Sequence, residues 1–119
     1  MSTQATTFIS KVQQLGYQAQ RCNNIYNGAI ATVTTNCNIT FTEFIDNKTA
    51  KEAFNTAKYN IKNIFGVKKS SDGIKSNKYS IKIQDRYIVY TRSQNCLIEV
   101  NCSIQYADMI DGIIKQLGY

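Results

Sequence analysis

The chain has no histidine, no proline and no tryptophan. The missing histidine excludes the most. It removes the side chain best suited to moving a proton near neutral pH. It rules out Ser-His-Asp and Cys-His catalytic groups and every histidine-containing zinc site. Catalysis would have to run on Asp, Glu, Lys or Cys alone. No apolar run approaches the ~20 residues that cross a bilayer as a helix. The opening residues, MSTQATTF, lack the basic and apolar regions of a signal peptide. No block of five or six like charges occurs that would mark a basic or acidic tail.

What is present suits one folded domain spanning residues 1–119. Its 119 residues are 43% hydrophobic and 18% charged. Net charge is +6, from 14 basic and 8 acidic residues, which favours anionic partners in general. Lys48, Lys51, Lys58 and Lys62 fall on one predicted helix. Lys68, Lys69, Lys75 and Lys78 fall in or beside one polar stretch. These last four are the candidate anion-binding residues; the alternative is an ordinary solvated basic surface.

Hydrophobic spacing places the elements. Phe8, Ile9, Val12 and Leu15 recur at helical spacing and predict a helix over about Thr6 to Leu15, ended by Gly16. YQAQRC reads as extended, NNIYNG (23–28) as turn-rich, and AIATVTT with NITFTEF as a hairpin. The clearest helix follows. Thr49 and Glu52 have capping-box spacing, with Asp46 or Asn47 as alternative caps. Its apolar stripe runs Ala50, Ala53, Phe54, Ala57, Ile61, Ile64, Phe65. VKKSSDGIKSN then reads as a surface loop. KYSIKIQ, YIVYTR and CLIEVNC predict three more strands joined by tight turns, the first turn at Asp85-Arg86. A last helix covers about Gln105 to Leu117.

The predicted order is α-βββ-α-βββ-α, an α+β fold with antiparallel sheet pairing and helices packed on one face. QQLGY and KQLGY, with TNCNITFTEF and QNCLIEVNC, raise an internal duplication with repeats at about 5–66 and 67–119. The matches are short, so chance stands beside it.

The cysteines pose the sharpest question. In CLIEVNC, alternation puts Cys96, Ile98, Val100 and Cys102 on one face and Leu97, Glu99 and Asn101 on the other. Six residues of strand separate the two sulfurs by ~20 Å. A disulfide needs Cα atoms within roughly 4.4–6.8 Å, so Cys96 and Cys102 cannot pair with each other. The spacing also fits no CxxC zinc knuckle. Cys22 and Cys37 could bridge each other or reach one of the later pair. The alternative is four structural thiols, since buried cysteine behaves as a small apolar residue. No cofactor or metal is indicated by any motif.

Other features weigh less. Asp85-Arg86 is better explained as turn chemistry. Glu43 and Glu99 occupy matching places in the duplication reading, yet a solvated strand face is the simpler account. Eight tyrosines near lysines raise nucleic-acid binding. No recognition motif supports it, and tyrosine suits half-buried strands. Sequons begin at Asn38, Asn47 and Asn101, as chance readily allows in an Asn-rich chain.

The segments TEFIDNKTAKEAFNTAK, KYSIKIQDRYIVYTRSQNCLIEVN and IIKQLGY resemble small uncharacterised domains from low-GC Gram-positive bacteria. The resemblance covers residues 38 to 119 and carries structural motifs without catalytic ones. It implies an exported, surface-tethered or lipoprotein-like setting, with a cytoplasmic one as the alternative. The four cysteines depart from the pattern. The function expected from residues and resemblance together is a non-enzymatic binding or scaffolding domain. Its partner would be an envelope protein or an anionic polymer. The alternatives are a small-ligand carrier or histidine-free enzyme with a pocket between helices and sheet, and, more weakly, nucleic-acid binding.

Overall fold

A computed structural model describes residues 4–22 and 27–119. Most of the turn-rich stretch at 23–28 lies outside the described residues. Helix α1 (Gln4–Gln14) precedes strands β1 (Gln18–Cys22), β2 (Asn27–Thr34) and β3 (Cys37–Glu43). Helix α2 (Asn47–Ile61) precedes β4 (Val67–Asp72), β5 (Ser76–Ile83), β6 (Arg86–Ser93) and β7 (Cys96–Ser103). A short 3-10 turn (Ile104–Tyr106) leads into α3 (Ala107–Leu117). All seven strands join one antiparallel sheet in the order β1-β2-β3-β7-β6-β5-β4. The α+β class, the antiparallel pairing and the alternation of helices with strand sets match the sequence reading.

The order holds with one strand added. VKKSSD, expected as loop, is β4. All six of its residues are exposed, so it has no hydrophobic alternation to betray it. It is an edge strand held by its ladder to β5, from Val67 opposite Lys82 to Asp72 opposite Asn77.

The helices divide between the two faces of the sheet, which corrects the expectation that helix 2 shares a face with helix 3. Phe8 and Val12 of α1, with Ile110, Ile113, Ile114 and Leu117 of α3, pack on Ile39, Phe41, Val89, Ile98 and Val100. Phe54 and Ile61 of α2 pack on Tyr79, Ile81, Ile88 and Leu97. Ile88 and Val89 are neighbours in sequence, as are Leu97 and Ile98. Alternation therefore puts each pair's members on opposite faces. Apolar residues on both parities of YIVY and CLIEV are the signal for a strand covered on both sides.

Asp46 caps α2: its carboxylate accepts from the Thr49 backbone N–H at 2.7 Å. That bond holds the carboxyl below its ordinary range. Helix α2 stops at Ile61, so Ile64 and Phe65, expected on its buried stripe, are exposed instead. Gly66 permits the turn into β4, since a Cβ there would lie 2.6 Å from the Lys82 carbonyl oxygen. At the other end of the chain Gly118 adopts the left-handed conformation that closes α3.

Candidate functional site

The edge hairpin β4–β5 extends past α3 and leaves a groove of about 350 Å³ between the sheet and that helix. Strand parity builds it. Lys69, Ser71, Lys78, Ser80 and Lys82 are all on the α3 side of β4 and β5, because Lys69 pairs with Ser80, Ser71 with Lys78 and Val67 with Lys82. Tyr87 reaches in from β6 and Asp111 from α3. The Tyr87 hydroxyl donates to Asp111 Oδ1. Burial raises the Tyr87 hydroxyl well above the usual tyrosine range, and the Asp111 bond adds to that. Lys78 Nζ lies 3.9 Å from Asp111. Lys82 Nζ sits 6.0 Å from the centre of the Tyr87 ring. Among the described residues neither Lys69 nor Lys82 has an acidic partner. Three lysines face one aspartate, so the groove carries surplus positive charge beside the hydroxyls of Ser71 and Ser80.

Of the four lysines singled out from sequence, the fold brings Lys69 and Lys78 together here. Lys68 turns to the other face and donates to the carbonyl of Lys62 at the end of α2. Lys75 lies in the β4–β5 turn, where its carbonyl accepts from the Gln94 N–H. Lys82 was missed. Its signal was parity: within KYSIKIQ it shares a face with Lys78.

All four cysteines are free thiols, three buried and Cys22 partly so. Cys96 and Cys102 face the α1/α3 side of β7, as alternation requires. Cys37 and Cys102 are brought together, two residues beyond the Ile39–Val100 pair on β3 and β7. Burial, then the hydrogen bond with Cys102, pushes the Cys37 thiol up to about 12. Burial, then Glu43, does the same to Cys96. Raised thiols are the reverse of activated nucleophiles. Among the described residues no three His, Cys, Asp or Glu side chains gather as metal ligands.

Glu43 and Glu99 face opposite sides of the sheet, opposite Cys96 and Thr40 respectively, so they form no acid–base pair. Burial holds the Glu99 carboxyl above its ordinary range. A carboxyl raised on folding favours the folded state while protonated and opposes it once pH passes the ordinary range towards the raised value. Glu99→Gln should therefore raise the melting temperature at neutral pH, with the gain shrinking towards about pH 4. Thermal denaturation at both pH values checks this; an equal shift at both would contradict it.

Among the described residues the tyrosines supply no single stacking platform. Tyr79 is buried on the α2 side and Tyr87 on the α3 side.

No family model matches the sequence, and no curated protein matches it. The fold has a solved counterpart. A crystal structure of a GTP binding regulator from Thermotoga maritima superposes with a TM-score of 0.64 over 97% of this chain and 84% of that one. Identity is 14%, so the likeness is one of fold. No helix among the described residues is long and apolar enough to cross a membrane.

Proposed function

We propose that this is a non-enzymatic binding domain that holds a phosphate- or carboxylate-bearing partner in the groove between β4–β5 and α3. The observation that carries the reading is the convergence of Lys69, Lys78 and Lys82 on one groove with hydroxyl donors from Ser71 and Ser80. Ammonium groups and hydroxyls are the donors an oxyanion needs. The remaining chemistry speaks against turnover. The thiols of Cys37 and Cys96 and the Tyr87 hydroxyl are raised by burial, and no histidine is present to take a proton. The fold shared with a GTP binding regulator is compatible with a binding role. In an exported setting, an anionic envelope polymer would meet the same requirement.

Calorimetric titration with pyrophosphate and with short polyphosphate at low salt tests this. Binding should weaken as salt rises. Lys69→Glu and Lys82→Glu should each weaken it by at least about tenfold, since reversal converts an attraction into a repulsion worth ~1.4 kcal/mol or more. Lys51→Glu, on the exposed side of α2, should leave it unchanged. Equal affinity for Lys69→Glu and the parent chain would refute the groove as the site.

A further inference from the structure

We propose that the corner between α2 and β4 docks on the surface of an anionic lipid bilayer, with Phe65 as the inserting side chain. This goes beyond the groove, with which the tip shares only Val67 at the groove's edge. Phe65 is 97% exposed, and Val67 and Ile64 beside it are 66% and 38% exposed. Tyr59, one turn back on α2, is 67% exposed. Single exposed apolar residues are ordinary on a protein surface, but Ile64, Phe65 and Val67 fall within four consecutive residues of one turn.

The tip is held in place from within. Ile61 is buried against the sheet, the Lys68 ammonium donates to the Lys62 carbonyl, and Gly66 lies against the β5 backbone and Ile81. The chain thus presents Ile64, Phe65 and Val67 from a fixed turn.

The charge around the tip selects the occupant. Lys62 and Lys68 flank it directly, and Lys62 Nζ lies 4.4 Å from the centre of the Tyr59 ring. The acidic side chains at this end are Asp85, on the β5–β6 turn next to Arg86, and Asp108 and Asp111 of α3, the last engaged by the Tyr87 hydroxyl and the Lys78 ammonium. An aromatic residue with a lysine on either side in the chain matches an anionic interface, where the ring enters the headgroup layer and the ammonium groups stay with the phosphates. Each lysine near such a surface adds roughly fivefold to binding. A second copy of the chain would bring lysines against lysines. Three or four side chains on a turn also fall far short of the ~800 Å² per partner of a stable protein interface. The other end of the sheet exposes Ile45 and Ile74, but these stand singly on separate turns, where Asp46 and Asp72 offset Lys48 and Lys75.

The chain has no tryptophan, so Phe65→Trp supplies a single reporter at an exposed position where folding is not at risk. Its emission should shift to the blue when vesicles of phosphatidylcholine mixed with phosphatidylglycerol are added. It should not shift with phosphatidylcholine alone, and Ile74→Trp should stay water-exposed with both. In flotation with the mixed vesicles, Phe65→Ser should bind at least about tenfold more weakly than the parent chain. Phe65→Ser should leave the pyrophosphate titration of the groove unchanged, which separates this proposal from the groove reading. The inference is overturned if Phe65→Trp emission is unmoved by the mixed vesicles, or if Phe65→Ser floats like the parent. A blue shift that follows protein concentration without vesicles would assign the tip to self-association and overturn it equally.

Discussion

Arg92→Ala is expected to lower folding stability by about 2–4 kcal/mol, a large share of the 5–15 kcal/mol available to a domain. Arg92 is only 2% exposed. Its Nε donates to Asn77 Oδ1 at 2.8 Å and its Nη1 to the Gln94 carbonyl at 2.8 Å. Asn77 in turn donates to Asp72 Oδ1 at 2.8 Å. The guanidinium thus ties β6 to β5, to the end of β4 and to the β6–β7 turn, where Gln94 has φ of 53°. Its Nη2 is buried with no hydrogen-bond partner among the described residues, so the charge is incompletely compensated. Truncation to alanine leaves a void and strands the Asn77 and Gln94 oxygens.

Arg92→Met separates these effects. It fills most of the volume and removes the poorly satisfied charge, so it should recover part of the loss. Asn77→Ala added to Arg92→Met should then cost little more, because the partner it served is gone. Urea unfolding of the four chains measures this. A loss under about 0.5 kcal/mol for Arg92→Ala would show that solvation offsets the network and sink the account.

Phe41→Ala is expected to cost about 3–5 kcal/mol and to leave the domain marginal at physiological temperature. Phe41 is fully buried on β3, in the middle of the sheet. Its ring stacks on Phe8 of α1 with centroids 4.7 Å apart. It also meets Tyr119 at 6.1 Å in a tilted arrangement. One side chain therefore joins the sheet to the first helix and to the last residue of the chain. Truncating it opens a void that three elements border, and close packing prevents full collapse. Phe41→Leu retains much of the volume and should lose less than half as much. The melting temperatures of the two variants decide this; a Leu variant as damaged as the Ala variant would point to backbone disruption instead of lost packing.

Strand parity was legible in every strand that carries an apolar face, β4 being the exception. Alternation in CLIEVNC placed Cys96 and Cys102 on one face and Glu99 on the other, and the register bears this out. Helical spacing located α1, α2 and α3 to within a few residues, because a helix buries one stripe and that stripe is written at fixed intervals. The candidate site was half legible. Lys69 and Lys78 were singled out, while Lys82 needed its partner strand to be known.

The chain's own order of residues determined which segments are periodic, which side chains share a face, and that no histidine chemistry is available. Only the tertiary structure decided what each face meets. VKKSSD carries no apolar pattern and becomes β4 because β5 offers a ladder of backbone hydrogen bonds, a force indifferent to side chains. Helix α2 crosses to the far face because Tyr79, Ile81, Ile88 and Leu97 form a second apolar surface there, one that exists only once β5, β6 and β7 are paired. Arg92 looks like any strand-end cation until that pairing buries it beside Asn77. Periodicity is a local property of a few residues, whereas burial depends on segments far apart in sequence, and the second cannot be read from the first.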